Sequence, residues 1–129
     1  DLIIMTIDNK IIPLYTSKGD AEVFLVFPYL FNRLGEWVGW VTSNKDVYSI
    51  LGFYIGFISN DKRILCKRFN EVRKPNLIPP SPPQRVLPPA TIPLAPMMSE
   101  LTYSTVDILL EEPEKLHTLD SGDLREDMN

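Results

Sequence analysis

Cysteine and histidine are nearly absent from this chain: Cys66 and His117 stand alone among 129 residues. One cysteine excludes an intrachain disulfide and any cysteine-based metal cluster, and one histidine excludes a histidine-rich metal site. Nothing points to an oxidising compartment, so the sequence places the protein in the cytoplasm by default. Long hydrophobic runs are missing too. The longest, Val47 to Ile58, spans twelve residues, well short of the roughly 20 needed to cross a bilayer as a helix. Gly52 and Gly56 spell GxxxG inside it, a motif without membrane meaning where no helix spans. The start, Asp1 to Met5, lacks the basic region and apolar stretch of a secretory signal. Met at position 5 leaves open whether residues 1–4 are native.

Recognisable catalytic machinery is also missing. The chain has no phosphate loop, dinucleotide fingerprint or HExxH. A nucleophile and base would require His117 beside Cys66 or a serine, yet His117 lies in an acidic segment far along the chain from the aromatic residues. Glu111 and Glu112 are adjacent rather than convergent, and Asp20 and Glu36, beside turn glycines, are expected to face solvent. The reading is of a protein that is not an enzyme, with no cofactor and no metal. Lys62, Arg63, Lys67, Arg68, Arg73 and Lys74 make one basic cluster. The acidic balance (pI ≈ 4.9) and the absence of a nucleic-acid motif argue against nucleic acid as a partner.

What is present divides into three parts. Residues 1–74 hold ten Lys/Arg and eight Asp/Glu, whereas residues 98–129 hold two and nine, so the acidity belongs to the end of the chain. Twelve of the thirteen aromatics precede residue 70. Only that first part can build a core, and about 70 residues is near the lower limit for folding alone. The expected organisation is a β-hairpin domain over 1–70, a proline-rich linker over 71–97 and an acidic tail over 98–129.

The first part repeats. Tyr29 to Lys45 (YLFNRLGEWVGWVTSNK) aligns with Asp46 to Lys62 (DVYSILGFYIGFISNDK) in a register of 17. Gly35 matches Gly52, Gly39 matches Gly56, and Trp37 and Trp40 match Tyr54 and Phe57. A degenerate copy precedes them at an offset of 16, with Tyr15 on Phe31 and Gly19 on Gly35. A fourth begins at Arg63 and breaks where Phe69 replaces the first glycine. Each unit is rich in β-branched and aromatic residues and is punctuated by Gly, Asn, Asp and Ser, the pattern of a hairpin. Gly35 and Gly52 are expected in tight turns, with Asn44-Lys45 and Asp61-Lys62 linking one hairpin to the next. The strand Ile3 to Lys10 aligns with the missing half of the fourth unit. The expected fold is all-β: four short hairpins in a pseudo-four-fold closed ring, sealed by that strand.

Period 2 sets Val38 and Trp40 on one strand face and Trp37, Gly39 and Val41 on the other, and likewise Ile55 and Phe57 against Tyr54, Gly56 and Ile58. Both faces are apolar, which reads either as core packing throughout or as one face left partly open for binding or self-association. Strand glycines Gly39 and Gly56 are expected to lie beneath aromatic neighbours. The units resemble the bacterial four-fold β-flower domain, on the blocks LGEWVGWV and LGFYIGFI, each preceded by an aromatic (Phe31, Tyr48), over residues 3 to 69. That resemblance implies a fold and no activity.

Nine of the 22 residues from Pro75 to Pro96 are proline, a composition that favours extended polyproline II and a semi-rigid spacer. Within it Pro80, Pro83 and Arg85 satisfy PxxPxR, the form read by aromatic grooves, with Arg85 available to an acidic rim. Ser104 to Glu112 reads as one short helix with Ser104 or Thr105 as N-cap, followed by a turn opening on Pro113. The tail around Val106, Leu109, Leu110, Leu116 and Leu119 is expected to be mostly disordered and solvated.

Two functions compete. One is a non-catalytic interaction module that binds a protein partner, or itself, through an aromatic face or the acidic tail. The other is a small-ligand or lipid-binding domain whose pocket at the ring axis is lined by Trp37, Trp40, Tyr54 and Phe57. Nothing in the sequence names the partner, the ligand or the oligomeric state.

Overall fold

A computed structural model describes residues 10–69 and 74–119. β-branched and aromatic residues fall into eight short strands: β1 (Ile12–Tyr15), β2 (Ala21–Val26), β3 (Tyr29–Asn32), β4 (Trp37–Val41), β5 (Asp46–Ser49), β6 (Tyr54–Ile58), β7 (Ile64–Lys67) and β8 (Thr105–Asp107). All neighbours are antiparallel and spatial order follows chain order, so the sheet is an eight-stranded meander curled into a half-barrel. The all-β expectation holds.

One device makes most of the turns. Thr16, Asn32, Thr42 and Ser49 each aim a side-chain oxygen at the amide four residues on, and Ser59 does the same for Arg63. The amide three residues on bonds back to the carbonyl of that same Thr, Asn or Ser. The residue supplying that amide is left-handed in every case: Gly19, Gly35, Lys45, Gly52 and Lys62 have φ of 89°, 81°, 68°, 90° and 65°. Serine, threonine and asparagine suit this because their short oxygens reach local backbone donors. The remaining short link, from β2 to β3, is Phe27–Pro28, joined by a cis peptide bond.

The strict alternation expected along the strands fails at bulges. The register slips between Leu14 and Tyr15, between Leu30 and Phe31 and between Val47 and Tyr48, positions 16 and 17 residues apart. An extra residue on one strand resets which side chains share a face. Val38 therefore joins Val41 in the aliphatic core, whereas Trp37 joins Trp40 in the aromatic cluster.

The end of the chain also differs from expectation. Residues 105–107 form a strand, β8, which pairs with β7 through Leu65, Cys66 and Lys67. The helix is one turn, α1 (Ile108–Glu111), capped by Asp107 rather than Ser104 or Thr105, and a 3-10 turn opens on Pro113 as expected. Val106, Ile108, Leu109 and Leu116 are buried with Leu14, Val23, Leu30, Val47 and Ile64 inside the curl. A hairpin sheet of this size lacks buried area, and each leucine sealed into it contributes roughly 1.5–3 kcal/mol, which is why this segment docks instead of staying solvated. The position beside β7 expected for Ile3 to Lys10 is thus taken by β8; apart from Lys10, that strand lies outside the described residues.

Candidate functional site

The outer side of the curl carries the aromatic residues. Phe31, Trp37, Trp40, Tyr48 and Ile50 form one buried cluster, with Val26, Tyr29, Tyr54 and Val86 packed on it. Trp40 stacks on Tyr48 at 5.1 Å, and Tyr54 meets Tyr48 edge-on at 5.8 Å. Indole donors are satisfied internally: Trp37 Nε1 donates to the Gly39 carbonyl at 2.7 Å and Trp40 Nε1 to the Ser49 carbonyl at 3.0 Å. Burial and the neighbouring Cys66, Asp46 and Tyr48 push the Tyr54 hydroxyl up to about 12. Trp37 and Trp40 are each only 8% exposed, so the tryptophan part of the face proposed from sequence is covered. Phe57 and Tyr54 are half-buried.

The proline-rich segment covers much of it, lying along the sheet as a strap rather than spanning free space. Two stations anchor it. The Leu77 amide donates to the Gly52 carbonyl and the Val86 amide to the Gly35 carbonyl, each at 3.0 Å. In return the carbonyls of Leu77 and Val86 sit where a Cβ on these glycines would lie, at 2.0 and 1.8 Å from it. Pro79 and Pro88 follow, with Cδ 3.6 and 3.5 Å from the same points. A third, looser station brings Ala95 Cβ to 3.8 Å from the Cβ position of Gly19. Tyrosine hydroxyls add to this: Tyr48 donates to the Pro75 carbonyl at 3.4 Å, Tyr29 to Ser81 at 2.9 Å and Tyr15 to Pro93 at 2.8 Å.

The PxxPxR motif is engaged inside the chain. Arg85 Nε donates to the Leu34 carbonyl at 2.8 Å, and Trp37 lines a groove together with Pro82, Pro83 and Arg85. Arg85 is otherwise exposed, with one of its donors spent on this contact. Over the strand glycines the nearest atoms are not aromatic rings: Gly39 faces Leu116, Leu30 and the Tyr48 carbonyl, and Gly56 faces Leu65 and Cys66.

Sequence reasoning missed three features. The first is a nine-residue echo, Asn76-Leu-Ile-Pro-Pro80 and Arg85-Val-Leu-Pro-Pro89, which was visible in the strap itself. The second is a polar seam joining the first turn to the end of the sheet. Arg63, 2% exposed, holds Asp61 with two donors, reaches Ser17 Oγ at 2.9 Å and donates to the Ser99 carbonyl at 2.9 Å. Asp107 accepts from the Ser17 amide at 2.7 Å. Burial pushes the Asp61 carboxyl up, but the bonds from Arg63 and Ser59 and the charge of Arg63 outweigh it and hold the group below its ordinary value. The third is an apolar cavity of about 420 Å³, lined by Leu14, Leu25, Phe27, Val41 and Ile58 and by the exposed Lys45 and Lys62.

Burial pushes the Cys66 thiol up, the wrong direction for a thiolate nucleophile. His117 sits with Nδ1 3.0 Å from the Thr118 carbonyl. Among the described residues no group of three or more His, Cys, Asp or Glu is placed to hold a metal ion, and no helix is long and apolar enough to cross a membrane. No family model, curated protein or solved structure matches the chain.

Proposed function

We propose that this chain is a non-catalytic β-repeat interaction module whose protein partner is a second copy of itself, bound through the outward side of the strap rather than the aromatic face beneath it. The observation that carries this reading is a row of large apolar side chains held in solvent. Ile78, Leu87, Leu94 and Met97 are 92%, 88%, 95% and 98% exposed on a segment pinned at fixed stations. Leu34 and Leu51, at equivalent turn positions beneath the strap, are 61% and 46% exposed. Single exposed leucines are ordinary, but a pinned apolar row is the mark of a contact surface. Changing Ile78, Leu87 and Leu94 together to Ser should leave folding stability within about 0.5 kcal/mol, because these side chains touch little. The same change should abolish concentration-dependent association in sedimentation velocity; association that survives it rejects this surface.

The β-flower resemblance and a closed pseudo-four-fold ring belong to the same proposal. Supporting them are the repeated turns and the bond from the Tyr15 amide to the Lys62 carbonyl at 2.8 Å, which ties β1 to the turn before β7. The ligand-binding alternative is favoured by one observation, the cavity. Aliphatic walls with Lys45 and Lys62 suit an amphiphile with an anionic head. Saturable binding of a long-chain carboxylate, lost in Lys45→Glu/Lys62→Glu, would support it; a flat titration would remove it.

A further inference from the structure

We propose that the sheet surface beneath the strap is a peptide-binding site for extended proline-rich chains carrying apolar-x-Pro units nine residues apart, and that residues 74–97 are its ligand in cis. This goes beyond the interaction surface above, which concerns the strap's other side.

Two periods match. Leu77, Val86 and Ala95 lie nine residues apart in the strap, and they meet Gly52, Gly35 and Gly19, which lie 17 and 16 apart in the hairpins. The strap thus runs back along the sheet, one unit per hairpin. At each of the first two stations the turn selects three features of the peptide. The glycine carbonyl takes an amide hydrogen, so the anchoring residue cannot be proline. The bare Cα of glycine admits that residue's carbonyl, which any side chain on the turn would exclude. The proline two positions on packs its ring on the same glycine and holds the chain extended.

A fourth feature is read two residues earlier. Tyr48 and Tyr15 donate to the carbonyls of Pro75 and Pro93, each two residues before the anchor of its own station. Phe31 holds the equivalent place at the middle station and has no hydroxyl to give, and there Tyr29 bonds Ser81 instead. The third station is weaker in both partners, since Ala95 is followed by Pro96-Met97 rather than by a residue and then proline. Sequence decay in strap and hairpin falls together at one end, as expected if the two are matched as ligand and reader.

The turns that form the stations are shaped by their own bonds. Asn32 and Ser49 hold the turn glycines through bonds internal to the turns. The strap, poor in amide donors because of its prolines, is fixed by widely spaced contacts, and such a chain exchanges more readily than a full β-strand.

The test uses the full chain with Leu77→Pro and Val86→Pro, which removes both anchoring amides, and a synthetic peptide of residues 74–98. The peptide is expected to bind saturably and to return Trp37 and Trp40 emission to that of the unaltered protein. A peptide lacking Gln84, which shortens the spacing to eight, should bind about tenfold more weakly or worse, since only one anchor can then seat. If the altered chain is unfolded, peptide-driven recovery of structure counts as binding, and failure to recover counts against the site. Deleting Gln84 within the otherwise unaltered chain gives a second reading: the strap should become sensitive to limited proteolysis while the sheet persists. Equal binding of both peptides, no binding of either, or a strap as resistant after the deletion as before would overturn the proposal.

Discussion

Glycine at positions 35 and 52 serves two demands at once, a left-handed backbone and a bare Cα against a carbonyl. Left-handed strain alone costs an L-residue about 1–2 kcal/mol. A Cβ 1.8–2.0 Å from backbone oxygen adds a clash that no rotamer relieves. Gly35→Ala and Gly52→Ala should therefore each destabilise by about 3 kcal/mol or release the strap, while Gly19→Ala, with 3.8 Å of room, should cost only the backbone strain. Urea midpoints for the three variants check this order. The Arg63–Asp61 pair sets a pH limit. The folded Asp61 carboxyl titrates below its ordinary value of 3.8, so its stabilisation is complete above about pH 4 and is lost as pH falls through the depressed folded value. Asp61→Asn should flatten this acid limb of a stability–pH profile; an unchanged slope below pH 4 would show that other carboxylates govern it.

At the scale of elements, the least expected finding is that the acidic end of the chain finishes the β domain. Leu116 packs against Gly39 and lies 8% exposed in the core. Leu116→Ala should destabilise the whole domain by about 2–4 kcal/mol, measurable as a lowered midpoint of a single cooperative transition. A change within error would mean that this segment is an appendage. Much of the sheet was legible in sequence, because the turn glycines and the 17-residue echo of Trp37 and Tyr54 are strong signals. Lys45 and Lys62 gave no sign of their left-handed backbone, since lysine seldom adopts it; the signal lay in Thr42 and Ser59, whose oxygens close the turns. The bulges were invisible because period 2 carries no mark of an inserted residue. β8 was hidden for another reason: Thr105-Val-Asp107 is too short to declare itself, and only the vacancy beside β7 makes it a strand.

For the whole molecule, a hairpin sheet with too little area of its own is completed twice, inside by β8, α1 and Leu116 and outside by the proline-rich strap. The candidate site was only half legible. Sequence named Trp37, Trp40 and Tyr54 as the aromatic face, but not what covers them, because a linker is usually read as a spacer and its nine-residue echo has meaning only against the hairpins. The central claim is that the strap is read at discrete stations. Residue-resolved amide hydrogen exchange on the full chain tests it most directly. The Leu77 and Val86 amides should be protected, with the amides that follow them, Ile78 and Leu87, exchanging fast, together with protection through β8. Uniformly fast exchange from 74 to 98 would contradict it, leaving the segment a spacer and the aromatic face open.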